Sequence, residues 1–248
     1  MRGRNIKLEI EYDGTNYCGW QVQKNSRKKS IQEVIEKTLR KIIGEKVKLI
    51  AAGRTDAGVH ALAQVANFFT RSKIPKARLK IALNGLLPKD IKVARVNDVS
   101  LNFHSRFSAK AKVYRYTILN RDYSSALLKD QVYYCPYTLD IGAMRRESQA
   151  LLGKHNFLAF KAADKKAKNP FKRINRISIT KKGDLIRIDI EADGFLYNMA
   201  RNIAGTLIEI GRGRFVKASL KRILASKNRR LAGPTLDARG LCLVRVKY

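Results

Sequence analysis

The sequence predicts an α+β protein built from two related α/β halves, each an antiparallel or mixed sheet with helices on its outer face, packed side by side around a central cleft. Three observations predict this. Segments with apolar alternation of period two are interspersed with segments of helical period. A length of 248 residues can bury a core as one large domain or as two packed halves. Finally, IKLEIEYDG (6–14) and IRIDIEADG (186–194) share Ile, Ile, Glu, Asp and Gly in register, with Lys/Arg, Leu/Ile and Glu/Asp matched. No Pro/Gly/Ser-rich linker separates the halves, which are expected at 1–106 and 107–248.

Residues 5–12 (NIKLEIEY) place Ile6, Leu8, Ile10 and Tyr12 on one face of a half-buried strand. Ser30 to Ile43 reads as an amphipathic helix. Ser30 and Glu33 form a capping box, Ile31, Val34, Ile35, Leu39 and Ile42 form the stripe, and Gly44 is the stop. Short strands follow near 46–51 and 64–69. A helix opens at Pro75, in the first turn where proline is tolerated, and ends near Leu87-Pro88. A strand near 91–97 closes the first half. In the second half KVYRYTIL (112–119) is a strand, and Asp140 caps a helix that runs to Leu152 and stops at Gly153. Strands near 174–181 and 185–192 flank a Lys-Gly-Asp turn. A long helix spans 195–210 and ends at Gly211, a short one lies near 216–225, and LCLVRVKY (241–248) closes as a strand.

Lys and Arg number 52 against 20 Asp and Glu, a formal net charge of +32. Such an excess repels itself in a compact fold unless part of it faces a polyanion, and solubility does not require a charge so one-sided. The basic residues spread along the whole chain, with runs at Arg27-Lys28-Lys29, Lys165-Lys166 and Arg229-Arg230. A broad positive face on a folded body, suited to nucleic acid, is therefore expected in place of a basic tail. No apolar run approaches the ~20 residues that span a bilayer, and there is no lipidation motif. The N-terminal MRGRNIKLEIEYDG lacks the apolar centre of a signal peptide, so a cytoplasmic protein without a membrane partner is expected. Cys18, Cys135 and Cys242 are odd in number and far apart, which argues against a disulfide framework. His60, His104 and His155 show no zinc spacing, and phosphate-loop and dinucleotide motifs are missing. No metal or nucleotide cofactor is implied.

The segment AAGRTDAGVHALAQVANFF (51–69) carries the most informative pattern. Asp56 falls in a loop between two expected strands, bracketed by Gly53 and Gly58, where backbone can pass close to a ligand. Arg54 lies two residues before it. A carboxylate beside arginine stays ionised, which suits a nucleophile or an anion stabilising positive charge better than a general acid. From spacing alone, a loop aspartate making an Asx turn beside a solvated arginine is an equal reading.

GRTDAGVHA with QVANF resembles the catalytic loop of the TruA-type tRNA pseudouridine synthases. The resemblance continues in YDGTNYCGWQVQ (12–23), LNGLLPKDI (83–91), FHSRFSAKAKVYRY (103–116), FLYNMARNIAGTLIEIGRGR (195–214) and AGPTLDARGLCLV (232–244), in the family's order over nearly the whole chain. It implies the pseudouridine synthase fold with a central RNA-binding cleft. It also implies isomerisation of uridine at positions 38, 39 and 40 of the tRNA anticodon stem-loop, and a homodimer that acts on tRNA and not on DNA. By the same resemblance Asp56 attacks the uridine, at C1′ of the ribose or C6 of the base. Tyr114 stacks on the target uracil and assists proton removal from C5, and Arg201 pairs with the aspartate. Arg54 takes the place of the extruded base. His60 and Gln64 touch RNA or brace the loop, and Leu241 packs against the uracil. Tyr116 is the better candidate for a core aromatic.

Two departures from the family pattern stand out. Asn156 occupies the place of a usual aspartate in His155-Asn156-Phe157, and TLDAR (235–239) is unusual before the final strand. A pseudouridine synthase acting on other RNA sites is the alternative within the resemblance, and two other functions compete with it. Glu9, Glu11 and Asp13, or Asp189, Glu191 and Asp193, each share a strand face and could belong to a metal-dependent nuclease; a solvated strand face is the alternative. A non-catalytic RNA-binding protein would account for the charge, but would have no use for a carboxylate in a basic groove.

Overall fold

A computed structural model of the protein describes residues 3–23, 26–162, 169–215 and 219–248. It divides into two compact units: unit 1 is Met1–Lys110 with Cys242–Tyr248, and unit 2 is Ala111–Leu241. The expected halves, 1–106 and 107–248, differ from this chiefly in the last strand, whose pairing places it with unit 1. The basic pair Lys165-Lys166 lies outside the described residues. So do residues 216–218, where the short helix was expected to start.

In unit 1, β1 (Arg4–Tyr12), α1 (Ile31–Ile43), β2 (Ile50–Ala51), β3 (His60–Thr70), α2 (Lys76–Leu86) and β4 (Ile91–Val99) follow in order. β1 runs antiparallel between β3 and β4, and β2 pairs antiparallel with β3. The alternation in β1 buries Ile6, Leu8 and Ile10 completely, as are Ile31, Ile35 and Leu39 of α1 and Leu79 and Leu83 of α2. Each such side chain contributes about 1.5–3 kcal/mol by leaving water. The capping box of α1 forms: Ser30 Oγ accepts from the Glu33 amide at 3.1 Å. The Lys37 ammonium, 2.7 Å away, and the Ser30 backbone amide hold the Glu33 carboxyl below its usual range. Gly44 ends the helix at φ 72°. Pro75 stands just outside α2 as its capping residue, not within the first turn.

Unit 2 comprises β5 (Ala111–Leu119), β6 (Tyr133–Tyr134), α3 (Ile141–Ser148), β7 (Gly153–Asn156), β8 (Phe171–Lys182), β9 (Leu185–Ala192), α4 (Met199–Gly211) and α5 (Leu220–Ser226). β9 lies antiparallel between β5 and β8, β7 pairs antiparallel with β8, and β6 pairs parallel with β5. Three expectations change here. The helix capped by Asp140 is short: it gives way to a 3-10 turn at Gln149–Leu151, and Gly153 opens β7 in place of ending the helix. The long helix starts at Met199, because Asn198 adopts a left-handed conformation (φ 58°) at its N-terminus. The short one is α5, with Ser219 as its cap.

The chain then returns to unit 1 through β10 (Leu241–Lys247), which pairs in parallel with β3 at Cys242↔His60 and Leu243↔Ala61. Each unit is thus a mainly antiparallel sheet with one parallel pairing. The two matched nonapeptides fall on β1 and β9, each flanked by two antiparallel neighbours, with Ile6/Leu8/Ile10 and Ile186/Ile188/Ile190 equally buried.

A buried polar cluster ties the end of unit 1 to its sheet. Asn67 donates to Asn5 Oδ1 and accepts the Ser105 amide, both at 2.9 Å. Asn5 donates to the carbonyls of Ser100 and Phe103, both at 2.9 Å, and Tyr248 donates to the Ser105 carbonyl at 2.9 Å. Replacing Asn67 by Ala strands a buried amide and a buried carbonyl. Asn67→Ala is expected to lose about 3 kcal/mol of stability in urea unfolding; an unchanged midpoint and slope would refute this role.

Candidate active site

The loop from Gly53 to Val59 links β2 to β3 and presents Asp56, which is half-buried beside exposed Arg54. Its shape is imposed by buried neighbours. Thr55 is buried, its hydroxyl 2.7 Å from the Tyr12 hydroxyl at the end of β1 and its carbonyl 3.0 Å from the Trp20 amide. Burial pushes the Tyr12 phenol well above its ordinary range, so it remains a neutral hydrogen-bonding group. The Asp56 carbonyl accepts the Val59 amide at 3.2 Å, closing a tight turn with Gly58 at φ 77°. Two glycines let neighbouring backbone lie against this turn. Gly19 has φ 102°, and a Cβ there would stand 2.6 Å from the Thr55 oxygen; a Cβ on Gly14 would collide with the Val59 carbonyl. The same strip continues into α1, since Ile31 donates to the Gly19 carbonyl and Gln32 to the Trp20 carbonyl.

Gln64 is completely buried and donates to the Gly53 carbonyl at 2.9 Å, which fixes the other end of the loop. Through this bond Gln64 braces the loop. His60 is also buried, and its Nδ1 is 3.1 Å from both the Gly14 amide and Asp13 Oδ1. These two contacts compete for one nitrogen: an imidazole that accepts from Gly14 cannot also donate to Asp13 from the same atom. The N–H donor is unambiguous, so we assign Nδ1 as acceptor, with Asp13 a close electrostatic neighbour. Burial opposes ionisation of Asp13, whereas the Thr15 hydroxyl and amide favour the carboxylate, and the carboxyl is held below its usual range.

In unit 2, Tyr114 lies on β5, buried, with Phe195 edge-on at 4.9 Å between ring centres. Tyr116, two residues on, is 1% exposed and donates to the Asp237 carbonyl at 2.7 Å, as a core aromatic would. Burial drives its phenol far above the normal range, outweighing the opposing Arg201 charge. Arg201, on the first turn of α4, donates through Nε to the Leu236 carbonyl at 2.6 Å and through Nη1 to Asn198 Oδ1 at 3.0 Å. Both acceptors are neutral oxygens. The segment 229–237 that supplies Leu236 is pressed onto α4. Asn202 Oδ1 accepts from Thr235 and Arg229, and Thr206 Oγ1 accepts the Gly233 amide at 2.8 Å. A Cβ on Gly205 would meet the Pro234 carbonyl. Leu241 is buried at the start of β10.

Asp56, Arg54, His60 and Gln64 therefore belong to unit 1, and Tyr114, Arg201 and Leu241 to unit 2. Sequence reasoning missed the bracing set of Tyr12, Gly14, Gly19, Trp20 and Thr55, although YDGTNYCGWQ held the signal: two glycines and three aromatics in one short stretch. The two unusual segments have local work. Asn156 Oδ1 accepts the Leu158 amide at 3.1 Å, and Asp237 accepts the Arg239 amide and pairs with its guanidinium at 2.9 Å. Among the described residues, no three His, Cys, Asp or Glu side chains are grouped to hold a metal ion, so neither carboxylate strand face converges as a nuclease site requires. No helix among them is long and apolar enough to cross a membrane.

Comparison with known proteins gives a consistent picture. A family model described as tRNA pseudouridine synthase matches residues 9–108 and 148–248, segments that include Asp56 and Arg201 but not Tyr114. The chain is 46% identical over 245 residues to tRNA pseudouridine synthase A of Acetivibrio thermocellus, covering 99% of this chain and 100% of that one. It is 48% identical over 245 residues to the protein of the same name from Caldicellulosiruptor saccharolyticus, with the same coverage. Identity to that of Moorella thermoacetica is 43% over 243 residues, covering 98% and 99%.

Two outcomes follow from this geometry. Gly19→Ala forces an L-residue into left-handed backbone against a carbonyl, and is expected to cost at least about 2 kcal/mol by urea unfolding; a neutral effect would show that the strip does not constrain the loop. The Asp237 carboxyl is held below its usual range, chiefly by its bond to Arg239. A depressed folded-state pKa stabilises above the unfolded value of about 3.9, and this contribution disappears as pH falls through the lower folded value. Asp237→Asn should therefore flatten the acid limb of the stability profile below about pH 4, and an unaltered limb would remove Asp237 from that account.

Proposed function

The chain belongs to the tRNA pseudouridine synthase family, and from that premise we propose that it isomerises uridine at positions 38, 39 and 40 of the tRNA anticodon stem-loop, with Asp56 as nucleophile. Conversion of uridine to pseudouridine in tRNA, an isomerase reaction, is the activity of the family. The finer assignment is supported chiefly by the way unit 1 is built around Asp56. A half-buried carboxylate sits in a turn held by Thr55, Gly58 and the Gly14–Trp20 strip, next to an exposed arginine. Rigid positioning of a charged nucleophile is a requirement of covalent catalysis.

The steps balance without redox or energy input. The Asp56 carboxylate adds at C1′ or at C6, and the bond from C1′ to N1 breaks. The base turns, C5 bonds to C1′, the bond to Asp56 breaks with its electron pair returning to the carboxylate, the proton at C5 leaves, and N1 gains one. On this reading Tyr114 stacks on the uracil and assists loss of the C5 proton. Arg201, already oriented by Leu236 and Asn198, supplies the cation for the Asp56 carboxylate. Arg54 fills the gap left by the extruded base, because a planar cation can both stack and bind phosphate. Serving three adjacent positions requires recognition by RNA shape and backbone, to which a net charge of +32 is suited. A cytoplasmic homodimer acting on tRNA completes the reading.

The experiment is incubation with tRNA transcripts carrying tritium at C5 of uridine, without added metal or nucleotide. Joining the base through C5 must release tritium to water. Release is expected with the unmodified protein, and a drop of about a thousandfold or more in Asp56→Ala, with tRNA binding retained or tightened. Absence of release across a full set of anticodon arms, despite tight binding, would overturn the reading.

A further inference from the structure

Phe107 is 77% exposed, which is unusual for a large apolar ring, and its immediate surroundings hold it rigid. The ring stacks on His104 with centres 4.3 Å apart and planes 29° apart, and the Arg106 guanidinium stands 5.5 Å from its centre. His104 Nδ1 accepts the amides of both Arg106 and Phe107 at 3.2 Å, while its own amide and carbonyl bond to Ser108. Beneath this turn, Ser105 is tied into the buried Asn67 cluster and capped by the Tyr248 hydroxyl. An exposed aromatic that gains nothing from burial is thus fixed in place by core contacts.

The charge around the turn is one-sided. Lys7 stands 5.6 Å from the rings of both Phe103 and Tyr248, Lys110 donates through its amide to the Lys247 carbonyl, and Arg106, Lys110 and Lys247 are exposed. From Val99 to Arg121 the sequence holds no acidic residue. A flat apolar surface edged by cations complements a nucleotide, whose base stacks while its phosphate meets the cations.

We propose that Phe107, backed by His104 and edged by Arg106, is an RNA subsite that stacks an unpaired base of the substrate. Such a base lies apart from the one undergoing isomerisation, and the contact positions the RNA. The proposal rests on the tRNA reading above, and its test is one of binding, so the two can fail separately. Affinity for an anticodon-arm RNA is measured for the unmodified protein and for Phe107→Ala, Phe107→Leu and Phe107→Trp, with thermal unfolding as the folding control and tritium release in parallel. The Ala and Leu variants are both expected to weaken binding by roughly ten- to a hundredfold, since apolarity without a flat ring is not enough. The Phe107→Trp variant should keep the affinity and show fluorescence quenched by RNA; the native tryptophan, Trp20, is buried and gives the baseline in the unmodified protein. Unchanged affinity in Phe107→Ala, or an introduced indole whose emission RNA does not quench, overturns the proposal. So does a change of sedimentation in Phe107→Ala without RNA, which would make the ring a subunit contact. Loss of tritium release in the unmodified protein, with the ring dependence of binding intact, would instead count against the isomerase reading alone.

Discussion

The hydrogen bond between Tyr12 and Thr55 joins the end of a central strand to the loop that carries Asp56, and much of unit 1 is arranged around it. Both groups are buried, so breaking the contact would leave two hydroxyls without water to replace it. The Thr55 carbonyl binds the Trp20 amide on the other side, which makes Thr55 a two-sided anchor one residue from the carboxylate. Gly14 and Gly19 exist at their positions because the strip must run where a side chain would block that anchor. The buried amide of Gln64 sets the distance at which the loop leaves β2.

Unit 2 reaches a similar result by different means. Arg201 is long and flexible, and orienting it costs side-chain entropy. Two fixed acceptors, one on the segment 229–237 and one on Asn198, reduce the number of ways it can point. The segment itself is held by small residues on α4: Gly205 makes room for the Pro234 carbonyl, and Thr206 and Asn202 supply the hydrogen bonds. A helix face of Asn, Gly and Thr would be a poor core on its own, and here it is a docking strip for irregular chain.

Much of this was legible in the sequence where local patterns decide the outcome. The alternation of Ile6, Leu8 and Ile10, the box at Ser30 and Glu33, and the Lys-Gly-Asp turn act over a few residues, and each appears as read. The repeated nonapeptide marked the two strands that become central in their sheets. Tertiary constraint was not legible. β7 (GKHN) has no apolar alternation and exists because β8 offers it an edge; the start of α4 depends on a left-handed Asn198; and the assignment of β10 to unit 1 depends on a parallel pairing far along the chain. At the candidate site Asp56 stood out by its motif, whereas Thr55 and Tyr12 did not. Their roles arise only from a contact between residues more than forty positions apart.

The pairing of β10 with His60 and Ala61 has a consequence for biogenesis. During synthesis the first half of the sheet leaves the ribosome long before the strand that will lie beside β3, and all of unit 2 is translated in between. Unit 1 is therefore interrupted in sequence by unit 2, and the strand that opens directly after the Asp56 loop obtains its parallel neighbour last. A nascent chain can assemble β1, β3 and β4 early, yet it completes the frame behind its carboxylate only after unit 2 has been read. Maturation of the Asp56 loop is in this way coupled to translation of the inserted unit.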